Sequence, residues 1–297
     1  MYFNDELNER AKKVETLLEG VLDIDAGKAN DLLTAMRYSA LTPGKRLRPI
    51  LMEETSVLFL GDAPELPEFM AAIELIHSYS LVHDDMPCID NDEYRRGRRT
   101  THAVFGEDTA LLAGDGLLNY AYEVAISSFK HTKDPIKCAK ALKVLSKKAG
   151  IFGMVGGQAL DVKSEKTNRL LTKEDLLFIH KNKTAALIEA SMMIGGILAG
   201  ATDEEVKKLE EAATKIGIAF QIRDDILDVE GSFEELGKDI GSDEENGKET
   251  YVTLFGMDKA KADVEKYSED ALNIIRSFTV KNPFLEELVE NLVNRNK

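Results

Sequence analysis

Apolar residues recur at helical spacing over long stretches of this 297-residue chain, and no other sequence feature constrains its fold as strongly. Residues 176–193, for example, place apolar side chains three or four positions apart, as on one face of a helix. Alternating apolar and polar runs bounded by hairpin turns, which would indicate strands, are absent from the sequence. We therefore predict an all-α fold, with one domain over residues 1–297 that forms a bundle of about ten or more helices.

Two segments are apolar around most of the helical circumference, namely residues 69–82 and 185–198. A helix without a polar face lies in the interior of a helical protein. We expect both segments in the centre of the bundle.

Composition narrows the function classes. The net charge of −15 argues against a nucleic-acid partner, which needs a basic surface. Cys88 and Cys138 are too few for a disulfide framework and form no metal site. An acidic N-terminal segment without a signal-peptide pattern, and the absence of a run of about 18 apolar residues, predict a cytoplasmic protein without a membrane span.

Two aspartate clusters follow strongly apolar segments, one at residues 84–90 and the other at residues 224–228. On a helix Asp224 and Asp228 lie about 40° apart, so their carboxylates converge. Asp90 would lie about 120° from Asp84 on a straight helix. Pro87 between them should end the helix and let the chain curl Asp90 back toward Asp84.

Carboxylates cannot bind a diphosphate directly, because both are anions. Magnesium is typically held by one or two carboxylates together with substrate phosphates, so two such clusters facing a cavity predict metal ions that bridge the protein to a diphosphate. The plainer interpretation is that each cluster is a solvated acidic helix end. Two clusters, each closing an apolar helix, favour the metal interpretation.

Basic residues gather at residues 45–48 and 95–99 of this acidic chain. The first group stands at a predicted helix start, which favours anions, and arginine suits phosphate oxygens. We predict a second, metal-free phosphate site, whereas Arg46, Arg98 and Arg99 are expected in surface salt bridges. His77 lies seven residues before Asp84, on the same helix face, and is expected to face a ligand.

Together these segments resemble the trans-type prenyl diphosphate synthases, most closely the bacterial-type farnesyl diphosphate synthases. The resemblance covers nearly the whole chain and rests on residues 43–49, 80–97 and 220–228, with Gly157, Gln158 and Asp161 as further markers. It implies an all-α isoprenoid synthase fold around a central cavity, a homodimer and three Mg²⁺ ions. The implied reaction joins isopentenyl diphosphate head to tail with dimethylallyl or geranyl diphosphate, giving farnesyl diphosphate and releasing pyrophosphate.

The same resemblance assigns roles residue by residue. The metal ligands would be Asp84 and Asp90 for two ions and Asp224 for the third, together with Asp85, Asp225 and Asp228. The allylic diphosphate would lie against Arg95, Lys183, Gln221 and Lys238, and isopentenyl diphosphate against Lys45, Arg48, His77 and Arg96, with Lys248 a further substrate-binding residue. The oxygens of Lys183, Thr184 and Gln221 would stabilise the allylic cation.

The growing product should descend along the helix that precedes the first cluster. Tyr79, five residues before Asp84, is expected to limit its length, which favours a fifteen-carbon product. Geranyl and geranylgeranyl diphosphate stay open as products, as does the preferred allylic starter. Among other classes, a helical di-iron carboxylate protein needs a second Glu-x-x-His pair besides Glu74 and His77, which the sequence lacks. A non-catalytic partner subunit should have lost one aspartate cluster, and a terpene cyclase has a mixed second metal motif.

Overall fold

The computed structural model describes residues 3–167, 170–230 and 249–293, and helices dominate all three ranges. The α-helices are α1 (Phe3–Leu22), α2 (Asn30–Ala40), α3 (Leu47–Ser56), α4 (Leu66–Asp84), α5 (Thr101–Phe105), α6 (Glu107–Ser127), α7 (Pro135–Ala149), α8 (Met154–Thr167), α9 (Lys173–Ile179), α10 (Ala186–Leu198), α11 (Asp203–Glu230), α12 (Tyr251–Phe255), α13 (Met257–Arg276) and α14 (Pro283–Val293). Short 3₁₀ turns occupy Gly27–Ala29 and Ser128–Lys130, and a π-helical segment at His180–Ala185 joins α9 to α10. The predicted all-α class is confirmed.

The chain divides into two compact units. Unit 1 comprises Met1–Glu53 and Gly61–Leu142, and unit 2 comprises Glu54–Leu60 and Lys143–Lys297. The single-domain organisation stays a prediction. Across the described ranges, none of the helices combines the length and the apolar character that crossing a membrane requires.

Helix α4 is the core of unit 1. It begins with Pro67 in its first turn, where the missing N–H of proline costs no hydrogen bond. Most of its residues from Phe69 to Val82 are buried, and it packs against α1, α2 and α6. The expectation for residues 69–82 is confirmed.

Helices α10 and α11 form the core of unit 2. Every residue of α10 is buried, as predicted for this segment, and α10 packs along α11. Helix α13 covers another side of α11. The second aspartate cluster lies near the end of α11, so its carboxylates project from a helix that is held on several sides.

A two-stranded hairpin was missed by the sequence analysis. Strands β1 (Tyr94–Arg95) and β2 (Arg98–Arg99) pair antiparallel around a turn made by Arg96 and Gly97. Both turn residues have positive φ, at 52° and 74°, as a type I′ hairpin turn requires. The glycine inside the arginine cluster was the available signal, and the hairpin fixes where these arginines point.

A buried charged network within unit 2 joins the end of α7 to α10 and α11. Lys148 of α7 contacts Glu189, which is buried in the apolar α10, and also bonds Glu210 of α11 at 2.7 Å. Thr214 donates to the other oxygen of Glu189 at 2.6 Å. Desolvation lowers the pKa of Lys148, yet its bonds to both glutamates outweigh that effect and leave the pKa raised. The ammonium group therefore stays charged.

Removing Glu189 should destabilise the protein strongly, because Lys148 would lose the buried one of its two glutamate partners. Glu189→Ala is expected to lower the free energy of unfolding by about 3–5 kcal/mol, as when one member of a buried ion pair is deleted. Glu210→Ala is the matched control, since this side chain is 40 % exposed and an exposed partner contributes at most about 1 kcal/mol. Urea unfolding measures both, and equal losses would contradict the prediction.

Candidate active site

The first aspartate cluster forms a tight loop at the end of α4. The helix ends at Asp84, and the backbone N–H of Asp90 donates to the carbonyl oxygen of Asp84 at 3.0 Å. The N–H of Asp92 likewise donates to the carbonyl of Asp85 at 3.1 Å, with Asn91 in the left-handed conformation at φ 57°. The predicted curl of the chain after Pro87 is confirmed, and Asp90 lies beside Asp84.

Asp85 connects this loop to the hairpin. It is buried, and its Oδ1 accepts from Nε of Arg95 at 2.5 Å. Burial raises the pKa of Asp85 to about 6, although Arg95 opposes that rise. Arg95 also contacts Asp92, at 3.4 Å. The carboxylate of Asp85 therefore holds an arginine, which suits a supporting part at a metal site.

A basic cleft of about 490 Å³ opens beside the loop within unit 1, lined among others by Arg46, His77, Arg95 and Arg96. Arg96 donates to the carbonyl of Pro43 at 3.3 Å, and a Cβ at Gly44 would overlap its guanidinium group. A larger residue at position 44 would therefore displace the end of the Arg96 side chain. Of the residues predicted to bind a diphosphate, His77, Arg95 and Arg96 thus line one cleft, and Arg46 lies there with them.

Arg48, in the first turn of α3, interacts electrostatically with the charged residues of the cleft. Burial lowers the pKa of Arg48, Glu74 opposes that effect and Arg96 adds to it. Burial and four surrounding arginines hold the pKa of His77 well below its ordinary value. His77 is therefore neutral near pH 7 and offers hydrogen bonds rather than charge. Lys45 is exposed.

The expectation of surface salt bridges was wrong for Arg46. Its side chain is buried and pairs with buried Glu74 at 2.8 Å, because the loop before α3 turns inward at this residue. The guanidinium of Arg98 instead stacks over the ring of Tyr38, 4.7 Å from its centroid. Arg99 is exposed and accepts a hydrogen bond from Tyr38 through its carbonyl oxygen.

The second aspartate cluster lies in the last two turns of α11, within unit 2. Asp224 is half-buried, whereas Asp225 and Asp228 are buried. Asp225 accepts from the backbone N–H of Tyr251 at 2.7 Å and lies 3.6 Å from the ring of His180. Because the segment is helical throughout, Asp224 and Asp228 share one face as predicted.

The π-helical segment between α9 and α10 carries Lys183 and Thr184. Lys183 bonds buried Asp161 at 2.6 Å, and the hydroxyl of Thr184 donates to the side-chain oxygen of Gln221 at 2.8 Å. Single π-helical turns inside α-helices are rare and often mark functional sites. The structure thus brings the predicted Lys183, Thr184 and Gln221 close together. Lys183 and Gln221 line a cleft of about 440 Å³ together with Asp161 and Asp225.

Tyr79 is buried in unit 1, and its ring meets the ring of His83 edge-on at 5.7 Å. Burial, and to a smaller extent the neighbouring Tyr122 of α6, raise the pKa of Tyr79. Two further predicted substrate-binding residues, Lys238 and Lys248, lie outside the described residues.

No three histidine, cysteine, aspartate or glutamate side chains within residues 3–167, 170–230 and 249–293 come close enough together to enclose a metal ion. The carboxylate pairs described above are therefore not closed cages. Such open pairs match magnesium sites that are completed by substrate phosphates.

The family of the chain follows from its similarity to known proteins. Residues 29–289 match the family described as Polyprenyl synthetase. The chain belongs to the polyprenyl synthetase family. It is a prenyltransferase.

Three similar proteins illustrate the range of this family. The farnesyl diphosphate synthase of Geobacillus stearothermophilus is 41 % identical over 290 residues, which are 97 % of this chain and 96 % of the relative. The chloroplastic geranylgeranyl pyrophosphate synthase of Capsicum annuum is 44 % identical over 244 residues, 82 % of this chain and 66 % of the relative. A Helicobacter pylori geranyltransferase, solved with magnesium and isoprenyl diphosphate, has a TM-score of 0.82 at 33 % identity and covers 99 % of this chain and 97 % of that one.

The structure adds functional candidates in this polyprenyl synthetase that the sequence analysis had not assigned. Asp161 was noted only as a marker, and it holds Lys183. Glu74 had been weighed as an iron ligand, and it pairs with Arg46. Gly157 of α8 packs so closely on the π-helical segment that a Cβ there would overlap the backbone nitrogen of Lys183. The glycines of residues 156–157 were the available signal for this contact.

Gly157→Ala should displace the π-helical segment and reduce prenyl transfer. The added methyl group would push against backbone at Lys183 and Asn182, which cannot move without shifting the Lys183 side chain. We expect the turnover number to fall by about 10²-fold, as for a small misplacement of a catalytic group, with helical content by circular dichroism unchanged.

Gly20→Ala on α1 is the matched control. A Cβ at Gly20 meets nothing within 4 Å, and alanine in a helix is about 0.5–1 kcal/mol more favourable than glycine. Its turnover should equal that of the wild type. Equal activity of both variants would show that the close approach at Gly157 is not needed.

Proposed function

We propose that this polyprenyl synthetase condenses isopentenyl diphosphate with dimethylallyl and then geranyl diphosphate, giving farnesyl diphosphate and releasing pyrophosphate. The observation that carries the proposal is the basic cleft of unit 1, where Arg95, Arg96 and neutral His77 lie next to the aspartate loop. Such a cleft suits a diphosphate group. The near-full-length likeness to a farnesyl diphosphate synthase supports the fifteen-carbon product.

The carboxylate donors of the two motifs fit Mg²⁺. Asp90 and Asp84 are adjacent through a backbone hydrogen bond, and neither motif forms a closed cage within the described ranges. Asp84, Asp90 and Asp224 would hold three ions, with Asp85, Asp225 and Asp228 in support. When bound, magnesium neutralises the diphosphate and makes it a better leaving group.

Thr184 and Gln221 prepare an oxygen-rich environment for the allylic cation. The Thr184 hydroxyl donates a hydrogen bond to Gln221 Oε1. The lone pairs of the hydroxyl oxygen therefore stay available to face positive charge. Oriented oxygens of this kind stabilise charge that develops in the transition state without having to reorganise. Lys183, held by Asp161, lies on the same segment and can contact the allylic diphosphate.

Arg48, Arg96 and His77 would bind isopentenyl diphosphate, together with Lys45. Guanidinium groups make forked contacts with phosphate oxygens. Because His77 is neutral, it can donate a hydrogen bond without adding to the repulsion among the arginines. The described residues provide no dedicated general base here, which agrees with proton loss from the condensed intermediate to the released pyrophosphate.

We also propose that the protein forms a homodimer in the cytoplasm. Helix α6 leaves Leu111, Leu112 and Ile126 about half exposed, and a second copy would cover this apolar face. The cytoplasmic location stays a prediction from the sequence.

Incubation with isopentenyl and dimethylallyl diphosphates plus Mg²⁺, followed by analysis of product length, tests the proposed reaction. Asp84→Ala and Asp224→Ala should each reduce turnover by about 10²-fold or more, because charge stabilisation of the leaving group is lost. Asp31→Ala and Asp258→Ala, which change exposed aspartates in units 1 and 2, are the controls and should be as active as the wild type. Retention of activity in both motif variants would contradict the magnesium roles.

Tyr79→Ala should lengthen the product. Loss of this buried ring leaves a cavity that costs about 3–5 kcal/mol of stability, and a longer isoprenoid tail that fills it gains about 0.8 kcal/mol per buried CH₂. We expect products of twenty carbons and more, measured by chromatography after dephosphorylation. Phe69→Ala removes another buried ring, ten residues earlier on α4, and it should lower stability without changing product length.

Twenty-carbon product from the wild type would instead support a geranylgeranyl diphosphate synthase, which the likeness to the Capsicum annuum enzyme keeps as the alternative. A Tyr79→Ala protein that is folded and active yet stops at fifteen carbons would move the length limit to another residue.

A further inference from the structure

The basic cleft rests on one buried ion pair. Arg46 Nη1 donates to Glu74 Oε1 at 2.8 Å, and the two side chains expose only 2 % and 3 % of their surface. The second terminal nitrogen of Arg46 donates to the carbonyl oxygen of Thr42 at 2.8 Å. Glu74 projects from α4, the most buried helix of unit 1, so it is a fixed point for the loop that precedes α3.

That loop has an unfavourable backbone at Arg46. Its φ of 49° lies in the left-handed region, which a non-glycine residue adopts only where the surroundings enforce it. The next helix, α3, starts directly after Arg46, whose carbonyl accepts from the N–H of Ile50 at 3.2 Å. The pair with Glu74 therefore decides how residues 45–48, and with them Lys45 and Arg48, are presented to the cleft.

Three buried polar atoms of this region lack a hydrogen-bond partner among the described residues, namely Arg46 Nε, Arg48 Nε and Glu74 Oε2. A buried donor without an acceptor costs about 1–3 kcal/mol. The two Nε donors are suited to the oxygens of a bound anion, whereas the glutamate oxygen is suited only to donors.

Glu74 also opposes the mutual repulsion of the cations. Its charge raises the pKa of Arg48 and of Arg96, while Arg96 lowers that of Arg48 and Arg46 lowers that of Arg96. Burial is the largest effect on both groups and lowers both pKa values. Partly buried arginines that lie close together repel one another, so a carboxylate among them is needed while no anion is bound.

We propose that Glu74 is a positioning residue for diphosphate binding, which acts by holding Arg46 and thereby the loop that carries Lys45 and Arg48. This inference rests on the proposed function, because it takes the cleft of unit 1 as the isopentenyl diphosphate site. Glu74 lines the cleft as well, but its carboxylate would repel a diphosphate, so its part is to hold Arg46 and not to bind the substrate.

Glu74 could affect the anion affinity of the cleft in two opposite ways, and replacing its carboxylate distinguishes them. If the carboxylate only reduced the positive potential of the cleft, Glu74→Gln would strengthen anion binding. If it positions the loop, Glu74→Gln weakens anion binding, because an amide replaces the charged acceptor of the Arg46 bond. We expect the weakening, by about tenfold or more, as for loss of a hydrogen bond to a charged group.

Titration calorimetry of the full chain with inorganic pyrophosphate, in the presence of a chelator and without Mg²⁺, measures this directly. Glu65→Gln is the matched control, since Glu65 is also a buried carboxylate of unit 1 but bonds Thr132 outside the cleft. Its Kd should stay within about twofold of the wild-type value. In the prenyl transfer assay, Glu74→Gln should raise the KM for isopentenyl diphosphate while kcat and the KM for dimethylallyl diphosphate change little.

An unchanged or lower Kd in Glu74→Gln would overturn the proposal. Should that variant fail to fold, Arg46→Lys tests the pair from its other end: it keeps the charge, loses the forked contact to Glu74 and Thr42, and should weaken pyrophosphate binding likewise. Calorimetry needs no catalysis. A wild-type protein without prenyl transfer, but with the expected pyrophosphate affinities, would therefore overturn the proposed function and leave the role of Glu74 standing.

Discussion

Buried helices that carry charged side chains impose the strictest requirement on this structure, because each charge must find a partner away from water. Helix α4 buries Glu74 and α10 buries Glu189, and each glutamate pairs with a cation from another segment, Arg46 or Lys148. These pairs fix the loop before α3 in unit 1 and the packing of α7 in unit 2. The apolar helices thus do more than fill the interior, since their few charged positions determine where neighbouring segments attach.

Departures from regular backbone concentrate at the candidate site. Among the described residues, the non-glycine positions with positive φ are Arg46, Asn91 and Arg96, and all three lie in the loops that carry the acidic and basic clusters of unit 1. In unit 2 the corresponding irregularity is the π-helical segment at His180–Ala185. Strained or rare backbone persists only where the surroundings fix it, and it is frequent at functional sites. In each unit the regular helices therefore form the core, whereas the irregular segments carry several of the candidate site residues.

Helical periodicity predicted the all-α class and the two buried segments, because a helix without a polar face has no alternative to burial. The return of Asp90 toward Asp84 was also predictable, since proline cannot continue the helix. Local pattern could not show that Arg46 is buried, because its burial depends on Glu74, 28 residues away in sequence. The π-helical segment was equally hidden, since its close packing against Gly157 of another helix is a tertiary contact that local pattern does not show.

Exposure separates the paired cations of the two clefts into two groups. Arg95 and Lys183 are each about one-third exposed, and they rest on the buried carboxylates Asp85 and Asp161. An ion pair with such access to water contributes little net stability, so either cation can exchange its carboxylate for a phosphate at small cost. Arg46 and Glu74 are almost fully buried, and separating them would leave two uncompensated charges inside the protein. Ion pairs of the same side-chain chemistry thus differ in how easily they separate, and the burial of their side chains makes the difference.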